Sequence, residues 1–134
     1  MKLLVVACLI ALCASPARSE GRLGYQGEGK GPGKTGYASY AKALADMRRN
    51  PEVTMRTEKG WILAIQRGGR EIWSFTPADH YAYPSFARRK AVQNGDGWRV
   101  QTSMQCESTK PLCDRLMREY IQLDRRMKEY FDGR

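Results

Sequence analysis

Two short glycine-bearing turns constrain the fold of this chain more than any other feature. Arg67-Gly68-Gly69-Arg70 separates the β-type runs 61–66 and 71–75, and Asn94-Gly95-Asp96-Gly97 separates the runs 88–93 and 98–105. Glycine supplies the positive φ of tight hairpin turns, whose backbone twist matches that of the strands they join. Two hairpins are therefore predicted. With a further β-type run at 53–57 they make an antiparallel sheet of four or five strands. In the last run Trp98, Val100, Thr102 and Met104 alternate with Arg99, Gln101, Ser103 and Gln105. This period of two predicts one face in the core and the other in water.

Helical spacing flanks the sheet on both sides. Tyr37, Tyr40, Ala41, Leu44 and Met47 are expected on one helix face, and Asn50-Pro51 stops that helix, because a residue before proline is pushed out of the α region. A second helix is predicted over about residues 111–131, with Ser108-Thr109 as candidate caps and Pro111 in its first turn. Its stripe is Leu112, Leu116, Tyr120, Leu123, Met127 and Tyr130, which suits packing on a sheet or, less commonly, a coiled-coil partner. Asp114 to Arg118, Arg115 to Glu119 and Asp124 to Lys128 are four apart, a spacing worth about 0.3 kcal/mol per ion pair. The fold class is thus α+β: a helix, an antiparallel sheet of two hairpins, and a helix, with residues 37–134 as one domain.

The N-terminal part reads differently. Residues 1–19 carry Lys2, an apolar run from Leu3 to Ala14, and then small residues, the layout of a cleavable secretory signal peptide. The apolar run is too short to span a bilayer of about 30 Å as a helix. Cleavage fits after Ala17 or after Ser19. Residues 20–36 form a glycine-rich leader, holding seven of the thirteen glycines, and have too little apolar surface to offset the entropy of ordering. Gly33-Lys34-Thr35 echoes a phosphate-binding loop, but Glu28 stands where that motif needs its first glycine. Cys8 and Cys13 leave with the signal peptide. The mature chain then keeps Cys106 and Cys113, six residues apart, in an oxidising compartment where thiols pair. The expected disulfide fixes how the last helix leaves the last strand, and its spacing is neither C-x-x-C nor a zinc pattern.

Charge narrows the class of partner. The chain has 23 Lys and Arg against 14 Asp and Glu, and loss of Lys2 and Arg18 takes the net charge from +9 to about +7. An intracellular chain of this kind would direct attention to nucleic acid. Behind an export signal the reachable anions are acidic proteins, wall polymers and the headgroups of phospholipid or lipopolysaccharide. The expected localisation is periplasmic or secreted, with no transmembrane segment after processing and no nucleic-acid partner.

The most distinctive stretch is 76–90, with two prolines, three aromatics and the only histidine. It has two readings. In one, Asp79, His80, Tyr81 and Tyr83 form a ligand-facing loop while Arg88, Arg89 and Lys90 attract negative charge. In the other, the stretch is an ordered connection in which Tyr83 and Phe86 plug the sheet edge and His80 bonds to backbone. Catalysis would need Ser74 or Ser85 beside His80, or an acid and base pair drawn from Glu71, Asp79 and Asp96, and no nucleophile elbow supports the first. No metal ligand set and no cofactor motif is present in the sequence. A non-enzymatic binding module that contacts an acidic protein or an anionic envelope component through this basic, aromatic loop, residues 79–90, is therefore expected. The alternatives are a small envelope hydrolase using His80 and an inhibitor or immunity protein.

Trp73-Ser74-Phe75-Thr76-Pro77, then His80, Ala82-Tyr83-Pro84, Arg88-Arg89 and the pair Cys106 and Cys113 with Asp114 form a pattern across residues 61–127. This pattern resembles a group of small exported proteobacterial proteins of unknown role, some of them labelled as J-domain chaperones. The chain has His80-Tyr81-Ala82 where a J domain needs His-Pro-Asp. The resemblance implies a periplasmic home and a shared module, and carries over no activity.

Overall fold

The computed structural model describes residues 35–133. The expected signal peptide and nearly all of the leader lie outside the described residues. The first helix, α1, is Tyr40–Arg49. Ser39 caps it, its hydroxyl accepting from the Lys42 N–H at 3.2 Å, so the helix begins three residues later than the spacing predicts. The buried stripe is Ala43, Leu44 and Met47, with Tyr40 half-buried. Ala41, expected on that face, is exposed, because the positions i, i+3, i+4 and i+7 from Tyr40 omit it. Asn50 turns extended and ends the helix before Pro51.

Five antiparallel strands follow in simple sequence order: β1 (Val53–Glu58), β2 (Trp61–Gln66), β3 (Glu71–Phe75), β4 (Ser85–Asn94) and β5 (Gly97–Cys106). Both predicted hairpins form. A third joins β1 and β2 through Lys59-Gly60, with φ of 48° and 84°, where lysine occupies a position that usually favours asparagine or glycine. In the β4–β5 hairpin Asn94 faces Gly97, and Gly95 takes the turn with φ of 61°. β4 begins at Ser85, earlier than expected, since Thr76 and Ser85 continue the β3–β4 pairing. Arg88, Arg89 and Lys90 lie on β4, as the run 88–93 predicts, and so stand apart from the connection 76–84 that the ligand-facing reading joins them to.

The last helix, α2, is Lys110–Asp132. Its apolar stripe packs on the sheet. Cys106 and Cys113 are bonded, their Cα atoms 5.8 Å apart, tying the end of β5 to the first turn of α2. Of the three expected helix ion pairs only Arg115 to Glu119 forms, at 3.2 Å. Asp114 instead takes Lys110, and Asp124 is drawn to Arg89 and Thr102 on the sheet. No helix among the described residues is long and apolar enough to cross a membrane.

The two helices lie on opposite faces of the sheet, so there are two cores. Ala43, Leu44 and Met47 of α1 pack with Ala64, Trp73, Phe75 and Phe86. Leu116, Met117 and Tyr120 of α2 pack with Ala82, Ala87, Met104 and the disulfide. This corrects the expectation of one wet face on β5. Ser103 is only 7% exposed, and the Gln105 amide donates to the Ala38 carbonyl at 2.9 Å. The polar face of β5 is covered at the Gln105 end and exposed by Arg99 at the other.

Candidate functional site

The connection 76–84 is fastened along its length. The Thr76 hydroxyl donates to the Ser85 carbonyl and accepts from the Ser85 N–H, both at 3.0 Å. The His80 N–H donates to the Pro77 carbonyl and the Tyr83 N–H to the His80 carbonyl, each at 3.0 Å. Tyr40 donates its hydroxyl to the Thr76 carbonyl at 2.8 Å, and Glu107 donates its N–H to the Pro84 carbonyl at 2.9 Å. The Tyr83-Pro84 bond is cis. Turn bonds and bonds to neighbouring elements thus hold the segment to the fold, meeting many of its backbone polar groups inside the protein.

His80 belongs to this internal scheme. Its Nδ1 accepts from the Ala82 N–H at 3.1 Å, so the neutral ring carries its proton on Nε2. The ring meets Trp61 edge-on at 4.9 Å and Tyr81 at 4.3 Å, and the Arg115 guanidinium lies 4.2 Å over the Tyr81 ring. Burial lowers the His80 pKa, Glu119 and Asp79 oppose the shift, and Arg115 adds to it. Burial and the nearby Glu119 carboxylate push the Tyr81 hydroxyl up to about 12, and that hydroxyl is enclosed with no partner in hydrogen-bonding geometry. Asp79 is exposed. Tyr83 is 41% exposed and rests edge-on against Tyr40. Phe86, expected at the sheet edge, is buried on β4 between β3 and β5, stacked on Phe75.

The serines weighed as nucleophiles face elsewhere. Ser85 donates its hydroxyl to the Ala82 carbonyl, and the Ser74 hydroxyl is 2.9 Å from that of Tyr120. Neither is paired with His80. Among the described residues no three His, Cys, Asp or Glu side chains are placed to hold a metal ion.

Strand alternation divides the basic triplet. Arg89 points toward α2, where it pairs with Asp124 at 2.9 Å; the two side chains are only 11% and 15% exposed. Arg88 and Lys90 point to the α1 side. Arg88 donates from Nε and Nη2 to the two Glu71 oxygens, at 3.0 and 2.9 Å, with its guanidinium 5.3 Å from the centre of the Trp73 ring. Trp73 Nε1 also donates to Glu71, at 2.9 Å. Burial would raise the Glu71 pKa, but the hydrogen bonds and charge of Arg88, the Trp73 N–H and the charge of Lys90 together hold it below the usual carboxylate value.

Beside this cluster α1 leaves the sheet uncovered. There a cavity of about 90 Å³ is lined by Arg88, Lys90, Gln101 and Ser103. The register explains the set: Arg88 faces Ser103 and Lys90 faces Gln101 across the β4–β5 ladder. The side chains of Lys90, Gln101 and Ser103 make no hydrogen bond or ion pair with another described residue. Gln101 and Ser103 were legible only as the polar half of an alternating strand, a signal that marks a face and not a ligand.

The expected site residues therefore occupy five places. His80 and Tyr81 join Trp61 and Arg115 on the α2 side, Tyr83 sits by Tyr40, Arg89 is enclosed with Asp124, and Arg88 and Lys90 border the cavity. Asp79 stays at the loop surface. The chain matches no protein-family model, no curated protein and no solved structure.

Proposed function

We propose that the protein is an exported, non-enzymatic binding module whose contact for an anionic partner is the open polar face of β4 and β5. The partner class is an acidic protein or an anionic envelope polymer or lipid. The observation that carries this reading is the cavity at Arg88, where the side chains of Lys90, Gln101 and Ser103 converge without a hydrogen bond or ion pair to another described residue. Arg99, exposed on the same face, adds positive charge. Opposite charge on a partner would speed encounter and make binding salt-sensitive. The Cys106–Cys113 bond supports an oxidising compartment, in keeping with the signal-like N-terminus. The resemblance to small exported proteins favours the same location.

Two substitutions separate this reading from a hydrolase built on His80. Retention on immobilised poly-glutamate, and on beads coated with anionic lipid, is measured at low and high salt for the processed protein. Lys90→Glu should abolish retention and His80→Ala should preserve it. Retention unaffected by Lys90→Glu, or an envelope-hydrolysing activity lost with His80→Ala, would overturn the proposal.

A further inference from the structure

We infer that the β4–β5 cavity is a subsite for one phosphoryl group, carried either by free phosphate or by the head of an anionic lipid. This rests on the reading of the protein as an anion-binding module and names which anion the site favours. Size comes first. At about 90 Å³ the cavity has the volume of about three waters, well below the ~300 Å³ at which pockets begin to enclose a whole small-molecule ligand. It takes one small group and leaves the rest of the ligand in solvent.

The donor set then selects among anions. Carboxylates are best recognised by the planar fork of an arginine, which offers two parallel N–H donors. Arg88 has already committed that fork, Nε and Nη2, to Glu71. What remains is a set of separate point donors: the Lys90 ammonium, the Gln101 amide and the Ser103 hydroxyl, brought from two strands to one cavity. A phosphoryl group has three outward oxygens and can meet donors arriving from several directions. A planar carboxylate meets fewer of them. Charge agrees with this choice: Arg88 and Lys90 outweigh Glu71 at the rim, and Arg99 lies further along the same face. Because Glu71 repels an incoming anion, the group must seat toward Lys90 and Ser103.

The test is a chemical-shift titration of the isotope-labelled protein, purified after export, at constant ionic strength. Sodium phosphate should shift the amides of Lys90, Gln101 and Ser103 in a saturable way, and sodium acetate at the same concentration should shift them less. Lys90→Gln should weaken phosphate about tenfold, the loss expected for one charge-assisted hydrogen bond. Ser103→Ala should weaken it less and in the same direction. Flotation with phosphatidic acid vesicles identifies the source: Lys90-dependent flotation assigns a lipid headgroup, and phosphate shifts without flotation assign a soluble phosphoryl group. Equal shifts with acetate, or no shift at these residues with phosphate, would overturn the inference. If poly-glutamate shifts the same residues while phosphate does not, the phosphoryl assignment fails and the binding-module reading stands. If neither ligand shifts them, both fail.

Discussion

Arg88, Arg89 and Lys90 are consecutive cations with three different roles, and the pleat of β4 decides which is which. Arg89 is enclosed with Asp124, so removing its charge leaves a largely buried carboxylate with the Thr102 hydroxyl but no cation. Arg89→Ala should destabilise the protein by about 3–5 kcal/mol, the range for breaking a buried ion pair from one side. Lys90→Ala should stay within about 0.5 kcal/mol, as expected of an exposed side chain that makes no hydrogen bond or ion pair with another described residue. Urea unfolding of the two variants checks this, and equal losses would contradict the placement of Arg89. In sequence the three were one basic run; which face each took depended on where the strand began, and the prolines before it concealed that start.

His80 gives a pH signature at the same scale. Its pKa is lowered in the folded protein, by burial first, with Arg115 assisting and Glu119 and Asp79 opposing. An unfolded chain holds a histidine proton up to about pH 6.5. Between the lowered native value and about 6.5 the unfolded state therefore binds more protons, so stability is full above that window and declines as pH falls through it. His80→Gln should flatten this decline in the urea midpoint. A midpoint that rises on acidification in the wild-type protein would contradict the lowered pKa. That His80 was the sole histidine was plain from the sequence; that its Nδ1 serves the Ala82 N–H was not, because a turn of this kind has no fixed motif.

Elements were the most legible scale. Gly-Gly and Asn-Gly marked two hairpins, and the alternation on β5 and the stripes on both helices marked faces that pack. Lys59-Gly60 was less visible, since lysine seldom takes positive φ. The Cys106–Cys113 bond was expected from spacing and compartment, and its structural place gives it a measurable role. It closes a short loop between β5 and α2, where both cysteines are buried in one cluster with Ala82 and Leu116. Replacing both cysteines by alanine should cost about 2.5 kcal/mol from chain entropy alone. Thermal and urea unfolding would read the loss. A double variant as stable as the parent would show that packing, not the crosslink, sets the angle of α2.

At the scale of the molecule, the sheet has a helix on each face, and neither the order of elements nor their hydrophobic patterns specified which face each would take. That arrangement buries the centre of the sheet on both sides and leaves polar surface uncovered along β1 and on the far half of β4 and β5. The candidate site was hard to read in advance for the same reason. Its four lining residues come from two strands, and each alone looks like an ordinary surface residue. The segment 76–84 attracted attention by composition, yet much of that composition serves its own turns and aromatic contacts.

The place of the charge, not its amount, makes the contact in the proposed site. Two double variants with the same net charge test it: Lys90→Glu with Arg99→Glu on the sheet face, and Arg125→Glu with Arg126→Glu on the exposed side of α2. Binding to the same anionic beads is measured for both at matched salt. The sheet pair should lose binding and the helix pair should keep it. Equal loss in the two would mean that net charge alone governs attraction, and would contradict a site on β4 and β5.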